Sequence, residues 1–81
     1  MKIAEIKNIL NTDMCSKNKE GNYVARWRFF YSHGGTSEMF EAKVLRNIPT
    51  AKIIGSERVD KPFKGGGGVK SNSHFAVEFA V

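Results

Sequence analysis

The sequence predicts an all-β domain, a small five-stranded antiparallel barrel of the OB-like type with a long central hairpin. Three observations support this prediction. Apolar and polar side chains alternate with a period of two through most of residues 22–46 and again through 74–81. Between the predicted strands lie polar and glycine-rich segments, above all residues 11–21 and the four consecutive glycines at 65–68.

The chain has 81 residues, which predicts one domain over residues 1–81. A domain of this size buries only about 60–65% of the surface that its unfolded chain exposes. Cys15 is the only cysteine and cannot form an intrachain disulfide, so we expect it to be a reduced thiol. Association into a homodimer is then the natural source of added stability.

Residues 1–10 fit two patterns. Ile3, Ile6, Ile9 and Leu10 approximate the stripe of a helix, whereas residues 2–7 alternate as a strand would. We favour the strand, because an isolated helix of ten residues without an N-cap residue is only marginally stable.

The central hairpin is predicted to span residues 22–46. One face of its first strand is almost entirely apolar and comprises Tyr23, Ala25, Trp27, Phe29 and Tyr31. The other face carries Val24, Arg26, Arg28, Phe30 and Ser32. Residues 33–36 (HGGT) tolerate the positive φ of a tight turn, and Phe40, Ala42 and Val44 alternate with Met39, Glu41 and Lys43 beyond it.

Two further strands complete the prediction. Residues 51–54 follow Pro49, which suits a strand start or an edge strand. Residues 74–81 alternate strongly and are predicted to form an open edge that a dimer would cover. Residues 11–21 are predicted to be a basic loop, and the glycines at 65–68 a flexible tether.

Candidate catalytic residues are few, and we expect a protein that is not an enzyme. Glu38 and Glu41 would point to opposite faces of a strand, and His33 and His74 lack a nucleophile at a suggestive spacing. The glycine run does not match a phosphate-binding P-loop. We expect no cofactor and no metal, and the absence of a long apolar run predicts a soluble protein of the cytoplasm.

Nucleic-acid binding agrees better with the composition. The net charge is +5, and Lys43, Arg46, Lys52, Arg58, Lys61, Lys64 and Lys70 face only Glu57 and Asp60 over the same span. Proteins that bind single strands combine a cationic groove with exposed rings on which bases stack. If Trp27 and Phe29 enter the core, the outward group comprises Arg26, Arg28, Phe30 and Lys43. Tyr23 and Phe63, the latter beside Lys64, are candidate stacking residues; the alternative is that the rings fill the core and the arginines form a solvated face.

A resemblance makes this hypothesis more specific. Residues 17–44 (KNKEGNYVARWRFFYSHGGTSEMFEAKV) resemble the central region of the small single-stranded-DNA-binding proteins of filamentous bacteriophages. Residues 1–7, 48–52 and 73–81 are similar to other segments of that family. The resemblance implies an OB-like dimer that coats single-stranded phage DNA in the cytoplasm of a bacterial host during replication.

Carried over by position, the resemblance implies a DNA-binding role for Lys17, Lys19, Gly21, Tyr23 and Lys43. Asn22 departs from the proline that is frequent in the family, and the glycines at 65–68 are not part of its pattern. An alternative function is that of a small phage-type protein that binds and inhibits a host protein through the same exposed arginines and rings. The sequence does not separate DNA from RNA as the ligand.

Overall fold

The computed structural model describes residues 1–29, 35–60 and 73–81. In these ranges the chain forms two helices and four strands, in the order α1 (Ile3–Leu10), β1 (Met14–Lys17), β2 (Tyr23–Arg28), α2 (Ser37–Asn47), β3 (Lys52–Val59) and β4 (His74–Ala80). The strands form one antiparallel sheet in the order β1-β2-β4-β3. The domain is therefore an open four-stranded sheet with two helices.

Both helices pack against the same face of the sheet, which we call the covered face. Ile6 and Leu10 of α1 and Val44 of α2 are fully buried in one apolar cluster. The strand residues in that cluster occupy alternate positions of β2 and β4, namely Ala25, Trp27, Val77 and Phe79. The opposite face of the sheet, the open face, has no described helix over it.

Within residues 1–10, Ile3–Leu10 form helix α1, so the predicted strand is wrong. The Glu5 carboxylate accepts a hydrogen bond from the backbone N–H of Lys2 at 3.3 Å, which satisfies one free donor of the first turn. Asn11 ends the helix in the left-handed conformation with φ 54°. The N–H of Asn11 then donates to Asn8 and that of Thr12 to Lys7, a Schellman arrangement that satisfies two terminal carbonyls.

The predicted central hairpin is half correct. Its first strand is confirmed as β2, and Trp27 and Phe29 are buried as predicted. Its second strand is wrong, because these residues form α2, in which Phe40 and Val44 lie four residues apart and face the core. Helix α2 has Glu38 in its first turn and Arg46 in its last, where each charge suits the helix dipole.

Residues 11–21 are only partly a loop, since they contain β1, which pairs with β2. Asn18 organises the turn between these strands. Its side-chain oxygen accepts hydrogen bonds from the backbone N–H groups of Glu20 and Asn22, at 3.1 and 2.9 Å. Gly21 adopts φ 82° in this turn, which a residue with a side chain rarely does.

The strand predicted at 51–54 is confirmed as the start of β3, which continues to Val59 through an irregularity between Ile53 and Gly55. The C-terminal strand is confirmed as β4. It lies between β2 and β3, so it offers no open edge, and the argument that a dimer must cover it is wrong. The outer strands of the described sheet are β1 and β3.

The predicted five-stranded barrel does not match the described residues, because two of its strands are helices and the sheet stays open. The glycines at 65–68, Phe30, Phe63, Lys64 and half of the predicted turn at 33–36 lie outside the described residues. Neither described helix has the length and apolar composition required to cross a bilayer.

Candidate nucleic-acid interface

The open face is formed by alternate residues of the four strands. Cross-strand pairing places three residues of β2 there together with their neighbours on β4 and β3, namely Val24, Arg26, Arg28, His74, Ala76, Glu78, Gly55, Glu57 and Val59. The residues in the middle of this face, Val24, Gly55 and Ala76, are small and leave a shallow depression there. The charged side chains therefore stand around a shallow centre.

Arg26 and Arg28 lie on the open face, as the alternation of β2 predicted. Arg26 is half-buried and Arg28 is exposed. Two positions apart on a strand, their Cα atoms are separated by roughly 7 Å, which is close to the spacing of phosphates along an extended single strand. Within the described part of the chain, neither guanidinium has a hydrogen-bond or ion-pair partner. Within the described ranges, both guanidinium groups can therefore donate to an external anion.

Two carboxylates share the open face. Glu78 Oε2 accepts hydrogen bonds from the side-chain amides of Asn18 at 2.8 Å and Asn22 at 3.1 Å, so it is held against the β1–β2 turn. Glu57 lies across Ala76 from Arg26 and is exposed. Among the described residues, Glu57 and Arg26 form no ion pair.

The aromatic rings of the described residues lie on the covered side of the sheet. Centroid distances of 4.6–4.8 Å join them into a cluster of Trp27, Phe40, Phe75 and Phe29. Tyr23 packs against Phe79 at 5.8 Å, and its hydroxyl donates to the carbonyl of Met1 at 2.7 Å. No described phenyl, phenol or indole ring is thus presented on the open face for a base to stack on, and His74 contributes an imidazole there.

The remaining predicted site residues lie elsewhere. Lys17, Lys19 and Gly21 are exposed around the β1–β2 turn, at the opposite end of β2 from Arg28. Lys17 Nζ lies 5.5 Å from the centroid of the Tyr23 ring, on the covered side of the sheet. Lys43 belongs to α2 and not to a second hairpin strand, so it does not join Arg26 and Arg28. Of the predicted outward group, the described residues keep Arg26 and Arg28 together.

Arg58 is a cation that the sequence did not distinguish from the others. Its guanidinium lies 4.6 Å from the centroid of Phe29 and 5.5 Å from that of Phe75. It also donates to the carbonyl of Gly35 at 2.6 Å and to the carboxylate of Asp60 at 3.1 Å. These contacts assign Arg58 to holding the end of the sheet against the segment before α2.

Sequence reasoning also missed a groove beside Arg28. The second half of α1, the link from α1 to β1 and the end of β2 line it, with Lys7, Asn8, Asn11, Thr12, Asp13 and Arg28 as polar residues. We call it the α1 groove. It requires residues 1–10 to be helical, because only a helix brings Lys7 and Asn8 to the same side as Asn11.

Cys15 lies on β1, close to this helix. Partial burial raises the pKa of its thiol above the ordinary value, and the nearby Lys7 ammonium lowers it by a smaller amount. The thiol is therefore mostly protonated at neutral pH. Among the described residues, no group of three or more His, Cys, Asp or Glu side chains could hold a metal ion.

Comparisons of this chain with protein families, with curated proteins and with solved structures yielded no match. The resemblance of residues 17–44 to the phage proteins stays a prediction.

Proposed function

We propose that this protein binds single-stranded nucleic acid, most simply DNA, without sequence specificity and without catalysis, through phosphate contacts on the open face. The observation that carries the proposal is the pair Arg26 and Arg28 on a sheet face over which no described helix packs, both without partners in the described part of the chain. Guanidinium groups suit phosphate because they donate two hydrogen bonds in one plane.

The net charge of +5 supports a polyanionic partner, since it attracts nucleic acid over a longer range than the two contacts themselves. The open face is a sheet surface with a low centre at Val24, Gly55 and Ala76. It presents no described helix to enter a duplex groove, so an extended single strand is the better fit.

The described rings lie on the covered side, so the proposal does not use Trp27, Phe29 or Tyr23 as stacking platforms. Phosphate contacts then supply the affinity, and they predict little discrimination among base sequences. The proposal also does not need the OB-like barrel. The resemblance of residues 17–44 adds a role in phage or plasmid replication in a bacterial cytoplasm, as a homodimer.

The test is fluorescence anisotropy of a labelled oligo(dT) titrated with protein at several salt concentrations. For a single strand, each phosphate contact contributes about 0.7 to the slope of log K against log salt. Arg26→Gln and Arg28→Gln should each lower the affinity at low salt and reduce the slope by about 0.7. Circular dichroism should show that both variants keep the fold.

The matched control is Arg46→Gln, which removes the same charge from an exposed position in the last turn of α2. It should lower the affinity only slightly, through the net charge. Equal slopes for all three variants would contradict an interface at Arg26 and Arg28.

A second candidate function is binding to a host protein. The mixed charge of the open face favours it, because Glu57 and Glu78 accompany the arginines around an apolar centre. In this case the wild-type protein would show no oligonucleotide binding even at low salt. A single host protein would instead be recovered by affinity capture, and Arg26→Gln with Arg28→Gln would abolish its recovery.

A further inference from the structure

The α1 groove is an open depression with a volume of about 740 Å³. Ala4, Lys7 and Asn8 come from one side of α1, and Trp27 and Arg28 come from the end of β2. The groove is thus formed between α1, the end of β2 and the link of residues 11–13 that joins α1 to β1.

Four polar side chains of this groove are available to a ligand. In the described residues, Lys7, Asn8, Asn11 and Arg28 make no side-chain hydrogen bond or ion pair. Two other polar groups are already occupied. The Trp27 Nε1–H donates to the carbonyl of Leu10, and the Thr12 hydroxyl donates to the carbonyl of Arg26.

The free groups match the parts of a nucleotide. An ammonium and a guanidinium bind a phosphate, and a carboxamide offers a donor and an acceptor to a base edge. Asp13 also lines the groove and would repel a phosphate placed beside it. The phosphate is therefore assigned to the two cations, Lys7 and Arg28, and the base to the carboxamides of Asn8 and Asn11.

Arg28 connects the groove with the open face. It lies on that face through its pairing with His74, and it lines the groove as well. A single-stranded nucleic acid bound to Arg26 and Arg28 can therefore continue into the α1 groove along the protein surface.

We propose that the α1 groove holds one nucleotide of the bound strand, with Lys7 and Arg28 on its phosphate and the carboxamides of Asn8 and Asn11 on its base. This inference rests on the proposed function and deepens it. With the α1 groove occupied, the interface binds phosphates and also contacts one base of the bound nucleic acid.

The experiment compares two labelled probes of equal length, oligo(dT) and the same backbone with abasic sites throughout. Lys7→Gln should weaken binding of both probes about fivefold at low salt and reduce the salt slope by about 0.7. Asn8→Ala should weaken oligo(dT) about fivefold and leave the abasic probe unchanged, because only a base contact is lost. Alanine at this exposed helical position does not weaken the helix, so folding is preserved.

Arg46→Gln again serves as the control for net charge. If Arg26→Gln and Arg28→Gln weaken binding while Lys7→Gln behaves like Arg46→Gln, the groove proposal is wrong and the proposed function stands. If Asn8→Ala affects both probes equally or neither, the base contact is wrong. If the wild-type protein binds neither probe at low salt, the proposed function itself fails.

Discussion

The indole Nε1–H of Trp27 donates a hydrogen bond to the carbonyl oxygen of Leu10 at 3.1 Å, and this buried bond ties β2 to the end of α1. The same ring packs against Phe40 of α2, with 4.8 Å between centroids. Trp27 therefore connects the sheet to both helices. The Leu10 carbonyl is one of the terminal acceptors that a helix cannot satisfy by itself.

The first prediction concerns this bond. Trp27→Phe keeps an aromatic ring in the core but leaves the Leu10 carbonyl without its donor. We expect the free energy of unfolding to fall by about 2–4 kcal/mol, from the unsatisfied acceptor and the lost ring volume. Urea denaturation followed by circular dichroism measures it, since Trp27 is the only tryptophan.

The matched control is Tyr23→Phe, which also removes one polar hydrogen from an aromatic residue. Its bond to the Met1 carbonyl is exposed, so the loss should be below about 1 kcal/mol. Similar losses in the two variants would show that the Trp27–Leu10 bond contributes little.

The sequence predicted strands correctly where alternation was long and the apolar residues were large, as in β2 and β4. It failed for α2 because Phe40, Ala42 and Val44 alternate as well as a strand would, while Phe40 and Val44 also have helical spacing. Neighbouring residues alone do not decide between these patterns. The helix is favoured by the packing of Phe40 against Trp27 and Phe75, which are remote from it in sequence.

The second prediction separates Arg58 from the binding arginines. Its guanidinium packs on Phe29 and Phe75 and is bonded to Gly35 and Asp60. Arg58→Lys cannot reproduce this planar arrangement, so the free energy of unfolding should fall by about 1–2 kcal/mol. Affinity for oligo(dT) and its salt slope should stay at the wild-type values. A slope reduced as in Arg28→Gln would instead place Arg58 in the interface.

Only the part of the candidate site that depends on the alternation of side chains along β2 could be predicted from the sequence. Once Trp27 is in the core, Arg26 and Arg28 must point away from it, and the structure agrees. The predicted grouping of Lys43 with Arg26 and Arg28 required Lys43 to lie on the second strand of a hairpin, whereas it lies on α2. The predicted stacking of a base on Tyr23 required a ring without other contacts. In the structure the Tyr23 ring packs on Phe79, and its hydroxyl donates a hydrogen bond to the carbonyl of Met1.

The third prediction concerns Cys15. Burial raises the pKa of its thiol, and Lys7 partly offsets this. The midpoint for alkylation by iodoacetamide against pH should lie above the value of about 8.5 of a free cysteine. In Lys7→Gln the midpoint should move further up, since the cation that favours the thiolate is removed. In urea both proteins should return to the free value, and a downward shift in Lys7→Gln would contradict the assigned role of Lys7.

The fourth prediction concerns the β1–β2 turn. Asn18 accepts from two backbone N–H groups and donates to the Glu78 carboxylate at 2.8 Å. Asn18→Asp keeps the acceptors but replaces the donor with a second carboxylate, so at pH 7 the free energy of unfolding should fall by about 1–3 kcal/mol. Because the introduced carboxylate repels that of Glu78, the folded variant binds a proton more readily than the unfolded variant. The loss in free energy of unfolding should therefore shrink as the pH falls toward about 4. Asn18→Ala is the control. It removes the bonds without adding charge, so its loss relative to wild type should vary less with pH; parallel pH profiles of the two variants in urea denaturation would contradict the contact between Asn18 and Glu78.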